Sequence, residues 1–290
     1  MKRVYDRGQA GRKESIQEAA PLLVKYGYQA VNVPEALLED PALLLETDKC
    51  IKSLGLTWGM TPTPADSYAE NLSDADFEKS LEKLKRWAEL SERIGAKNCY
   101  NHIWNGSNIR EYDAQREWVL KRAERIFNVL DPHHIRYGFE FLGPVPLQRS
   151  FKYPFSNNLA GALSIADEIS PRLGFVFDTY HWYCGTGGDL GELYLAASHI
   201  DRLVNFHVDD GLNGRSREEQ QDLERAMPMT TGIIDSARVY RLFEKKGYDG
   251  LIMCEPLNTW RKETENFSFE EVIEAVAKGY GHLEEAAAGN

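Results

Sequence analysis

The chain has no CxxC pair. Its four cysteines, Cys50, Cys99, Cys184 and Cys254, are scattered over 290 residues. That removes zinc-knuckle and thioredoxin-like sites and matches reduced thiols in a cytoplasm. Cys99 and Cys254 lie in apolar runs, where cysteine serves as a small buried side chain. No run of about eighteen apolar residues occurs, so no helix is expected to span a membrane. The N-terminus lacks the apolar core of a signal peptide. Basic residues are in deficit, 34 Lys and Arg against 45 Asp and Glu, for a net charge of −11. A duplex binder needs a phosphate-neutralising surface, so nucleic acid is not an expected partner. No GxGxxG follows the early apolar runs and no P-loop is found, so the nucleotide-binding open sheets lose their main support.

What is present is a rhythm. Short apolar runs at Ala30–Val33, Leu56–Met60, Asn98–His102, Ile135–Phe141, Leu173–Asp178, Leu203–Val208 and Leu251–Glu255 alternate with helical stretches. Several are apolar on successive residues, the pattern of strands buried on both faces of a parallel sheet. Phe77, Leu81, Leu84, Trp87, Leu90 and Ile94 form one helical stripe, with Ser73 placed to cap it and Gly95 to stop it. Further helices are expected at Gln115–Val129, Asn158–Ile169, Leu190–His199, Ser236–Lys246 and Phe269–Lys278. Strand–helix alternation over this length predicts an α/β fold, a TIM (β/α)8 barrel in a single domain over residues 1–290. The eighth strand must come from Lys2–Asp6, which is short and charged. Pro21 should kink or restart the following helix, so the first βα unit is expected to be short or atypical.

The C-terminal strand ends form the active face of such a barrel. Four successive runs carry Glu140, Asp178, His207 and Glu255 there, expected at corresponding heights. Buried ionised groups must be paired, neutralised or bound to a metal. No Lys or Arg stands at the neighbouring strand ends, which favours a divalent metal over a structural polar network. Three carboxylates and an imidazole suit Mn2+, Mg2+ or Co2+, with Zn2+ less favoured.

The segments YGFEFLGP, GFVFDTYHWY, NFHVDD and KKGYDGLIMCEP resemble the sugar phosphate isomerase/epimerase family of xylose isomerase-like barrels, from roughly Gly55 to Tyr280. The resemblance implies that Glu140, Asp178, His207 and Glu255 bind the metal and that His181, in DxxH, contacts a substrate hydroxyl. It also implies that Arg225 faces the substrate from before a PGxTGxID-like turn, in which Met229 replaces the usual glycine.

The chemistry expected is isomerisation or epimerisation of a sugar or sugar phosphate. It proceeds by proton transfer next to a carbonyl through a metal-stabilised enediolate, with Glu140 and Glu255 as acid and base. His181 has a second reading, bonding a backbone carbonyl or capping its turn. His102 either contacts substrate or fills the rim. Asp209 and Asp210 read as partners orienting His207 or as solvated loop acids. Trp58, Trp104, Trp182, Tyr183 and Trp260 all fall near strand C-termini, where they either pack on a sugar or cap the core. Arg149, Lys152, Arg215 and Arg217 sit on possible lid loops, as phosphate readers or as solubilising surface. The rival readings are a metal-dependent dehydratase or lyase acting on a keto-sugar or oxidised glycoside, an apurinic-site endonuclease, and a non-catalytic barrel subunit. A homo-oligomer is also open.

Overall fold

The computed structural model describes residues 1–289. Nine parallel strand segments follow the order Thr57–Trp58, Ala30–Val31, Lys2–Tyr5, Leu251–Cys254, Leu203–Val208, Gly174–Asp178, Arg136–Phe141, Asn98–Ile103, Met60–Thr61. The first and last of these are separated in sequence only by Gly59, so together they fill one position and bring the sheet round into a TIM barrel. A Cβ on Gly59 would lie 2.5 Å from Asn32 Oδ1. That side chain instead accepts a hydrogen bond from Met60 N.

Lys2–Tyr5 supplies the missing strand. Lys2 pairs with Leu251 on one side, and Tyr5 with Val31 on the other. The unit is short, and residues 6–15 intervene before its helix. That helix, Ile16–Lys25, runs through Pro21 without restarting. A capping box between Ser15 and Glu18, with burial of Ile16, Ala19, Ala20 and Leu23, offsets the hydrogen bond that proline cannot make.

Alternation along each strand creates two cores. Val4, Ala30, Met60, Val176, Val204, Leu251 and Met253 fill the barrel interior. The alternate residues, among them Tyr137, Phe139, Phe175, Phe177 and Phe206, face the helices. Ser73 and left-handed Gly95 bound the helix Asp74–Ile94 as its sequence demands. The last helix reaches Ala288, ten residues beyond Lys278, because Tyr280 and Leu283 continue its buried stripe. Within Leu203–Val208 the pairing with Gly174–Asp178 shifts between Leu203 and Asn205. This bulge lets Val204 and His207, three residues apart, both face the interior.

Candidate metal centre

Glu140 lies level with Val176 and His102, whereas Asp178 lies level with His207. His207 pairs with Met253, two residues before Glu255. The four side chains therefore leave their strands at staggered heights rather than one, as strand tilt in a barrel requires. They still converge: one ligand atom from each lies within 4.8 Å of every other, and all four residues are buried.

His207 Nδ1 sits among three carboxylates, 2.9 Å from Glu140 Oε1, 3.4 Å from Glu255 Oε1 and 4.0 Å from Asp178 Oδ2. Its Nε2 lies 2.9 Å from the Asn205 amide nitrogen. Asp178 has two duties. Its Oδ1 accepts from Tyr180 N and His181 N, capping the helix Thr179–Thr186, while Oδ2 faces the cluster. An apolar strand ends in an acid here because that acid starts the next helix and completes the site.

A cation does accompany the acids, contrary to the sequence expectation. Arg225 arrives from the long loop before Ser236 rather than from a strand end. Its Nη1 donates to Asp178 Oδ2 at 2.8 Å, Glu255 Oε2 at 2.9 Å and Asp209 Oδ2 at 3.0 Å. Asp209 Oδ1 accepts from Glu255 N at 3.0 Å, so Asp209 holds Arg225 and Glu255 rather than orienting His207. Asp210 is equally buried. It accepts from the backbone N–H groups of Gly211, Thr231, Gly232 and Ile234, fixing the loop that carries Arg225. Met229 on that loop adopts φ 63°, the left-handed conformation glycine would favour.

Burial disfavours charge throughout, and the neighbours decide the outcome. Burial would raise the Glu140 carboxyl, but His207 and His102 hold it well below the usual range. Burial would lower His207, but Glu255 and Glu140 carry it well above its ordinary value. Burial and the nearby acids push Asp209 well up despite Arg225.

The donor set suits a hard divalent cation. Glu140 Oε2 is buried without an aligned hydrogen-bond partner, although His102 Nε2 lies 2.9 Å away. That orphaned oxygen and the crowding of three carboxylates around His207 Nδ1 fit a metal held by Glu140, Asp178, His207 and Glu255.

Beside the cluster opens a cavity of about 330 Å3, lined among others by Asp6, Asn32, Asp66, Tyr100, Asn101 and His102. His102 is half exposed there; burial would lower its imidazole, but Glu140 pushes it up to about 9. His181 is fully buried behind Asp178. Its Nδ1 accepts from Gly143 N at 3.3 Å, and its Nε2 lies 3.2 Å from Arg225 Nη2.

The tryptophans do not form a common sugar platform. Trp58 pairs with outward-facing Val31, so its indole points to the helix layer and donates to Asp48. Trp182 packs on Phe177 and donates to Asp189 O, and Trp260 lies in the outer core. Trp104 alone touches the cavity lining, donating to Asp66 Oδ2 at 2.8 Å.

Sequence reasoning missed Asn205 and Gln9. Asn205 was legible, two residues before His207 on one strand face. Gln9 Nε2 donates to Glu255 Oε1 at 3.1 Å from the loop after the first strand, where no pattern marks it.

The chain belongs to the xylose isomerase-like TIM barrel family, whose profile matches residues 20–278. No curated protein matches it significantly. Among solved structures it is similar to a xylose isomerase domain protein from Alicyclobacillus acidocaldarius, with 23% identity, 99% of both chains covered and a TM-score of 0.80. It is also similar to an IolI protein with a bound zinc atom, with 16% identity, 98% of both chains covered and a TM-score of 0.76. A third is a D-psicose 3-epimerase from Clostridium cellulolyticum H10 in complex with D-tagatose, with 12% identity, 99% of both chains covered and a TM-score of 0.74.

Proposed function

We propose that the protein, acting as one domain, is a divalent-metal-dependent isomerase or epimerase that moves a proton next to the carbonyl of a small sugar. The observation that carries this reading is the convergence of Glu140, Asp178, His207 and Glu255 beside a cavity. A divalent cation, Mn2+, Mg2+ or Co2+ before Zn2+, would supply Lewis-acid stabilisation of negative charge on the substrate's oxygens.

The two glutamates are set differently. Each turns Oε1 toward His207 Nδ1. Glu140 Oε2 faces His102, 2.9 Å away, and His102 in turn lines the cavity. Glu255 Oε2 is held by Arg225. Glu140, the one of the two that lies against a cavity-lining group, is assigned to take the proton and Glu255 to return one on the opposite face. His181 and Asp209 hold this geometry from behind, and free thiols, three of the four buried, suit a cytoplasmic setting.

The test begins with metal analysis of the purified protein, followed by incubation with ketohexoses in D2O and detection by NMR. Bound metal together with deuterium incorporation at the carbon beside the carbonyl supports the reading. Loss of a substituent in place of exchange moves it to a lyase, and failure to bind any divalent metal after reconstitution overturns it.

A further inference from the structure

We infer that the cavity admits an uncharged polyhydroxy ketone and excludes esters or acids that carry an anionic group. This inference rests on the isomerase reading and narrows its substrate class. The lining contains three carboxylates, Asp6, Glu35 and Asp66, and neither lysine nor arginine. Asp6 is locked in place by Gln9 N and the Asn32 amide, and Asp66 by Tyr68 N and the Trp104 indole. Glu35 is exposed. Carboxylates accept strong hydrogen bonds from sugar hydroxyls. A phosphate or carboxylate among them meets like charge, which complementary sites use to reject wrong partners.

None of the surrounding cations lines this cavity. Arg225 is buried and shared among three acids. On the loops that could have read a phosphate, Arg149 pairs with Glu218 at 3.0 Å and Arg215 with Glu224 at 2.5 Å. Arg217 Nη1 donates to Gly185 O, and Lys152 lies over the Tyr153 ring. Arg7 and Arg12 line an adjoining cavity. Arg7 donates to the carbonyls of Lys13 and Glu14, and Arg12 to those of Phe267 and Ser268. His102, the one lining group able to carry positive charge, lies against Glu140.

The test is calorimetric titration of the Mn2+-loaded protein, at matched free Mn2+, with D-fructose, D-tagatose and D-fructose 6-phosphate. At least one free ketose is expected to bind about tenfold or more tightly than the ester, a gap of about 1.4 kcal/mol. Glu35→Gln removes an exposed charge without disturbing a hydrogen bond and should narrow that gap by strengthening ester binding. An ester that binds as well as or better than both ketoses overturns the inference, as does binding of neither ketose. A free ketose that binds selectively but exchanges no proton leaves the inference standing and sinks the isomerase reading instead.

Discussion

Arg225 Nη1 lies 2.9 Å from Glu255 Oε2, deep in the mouth of the barrel. The same nitrogen reaches Asp178 and Asp209, so one guanidinium is shared by three buried acidic side chains. It also fixes which oxygen of Glu255 is turned toward His207.

Arg225→Met strands those charges. Removing one partner of a buried ion pair costs about 3–5 kcal/mol. Urea unfolding in the presence of a chelator should show a loss of this order, and saturating Mn2+ should recover part of it. An unchanged midpoint would mean that the acids are neutral in the folded protein.

Metal should stabilise the fold by mass action. At free Mn2+ about a hundredfold above Kd the gain is about 2.7 kcal/mol, visible as a rise in Tm. Asp178→Ala and His207→Ala should abolish that rise. Asp178→Ala should also lose at least about 1 kcal/mol without metal, because the helix Thr179–Thr186 loses its cap and Arg225 loses one of its buried partners.

Glu140→Gln and Glu255→Gln should each lower kcat by about 100-fold or more. Turnover near that of the unaltered protein in either variant would remove that residue from acid–base chemistry.

Met229 occupies a conformation that costs a side-chain-bearing residue about 1–2 kcal/mol. Met229→Gly should be at least as stable as the parent, whereas Met229→Val, branched at Cβ, should lose about 1 kcal/mol or more in chemical denaturation. A more stable valine variant would contradict the left-handed geometry.

Gly143 packs against the backbone of His181 and Gly185, with no room for a Cβ. Gly143→Ala must displace the helix that Asp178 caps. Overpacking of this kind costs about 1–3 kcal/mol, and calorimetry should show Mn2+ affinity falling with it. Unchanged affinity would separate the position of this helix from the metal centre.

The strands and the four converging residues were legible because each is a local pattern: a short apolar run that stops at a polar residue. The charge balance of the site was not. Arg225 comes from an irregular loop; the family resemblance turned it toward the substrate, and nothing in ERAMPMTTGIID states that three buried acids take up its guanidinium. The tryptophans misled because position along a strand was read without its parity: Trp58 lies near a strand end but on its outer face. Neither open reading of Asp210, a partner of His207 or a solvated loop acid, matches its role, since four backbone donors converging on one carboxylate leave no trace in composition.

The pairing of Lys2–Tyr5 with Leu251–Cys254 also bears on synthesis. Within the barrel, the strand made first waits for the strand made last, and Glu255 follows that last strand. A nascent chain halted before residue 251 holds three of the four converging side chains and an open sheet edge. Closure of the ring and completion of the site therefore coincide.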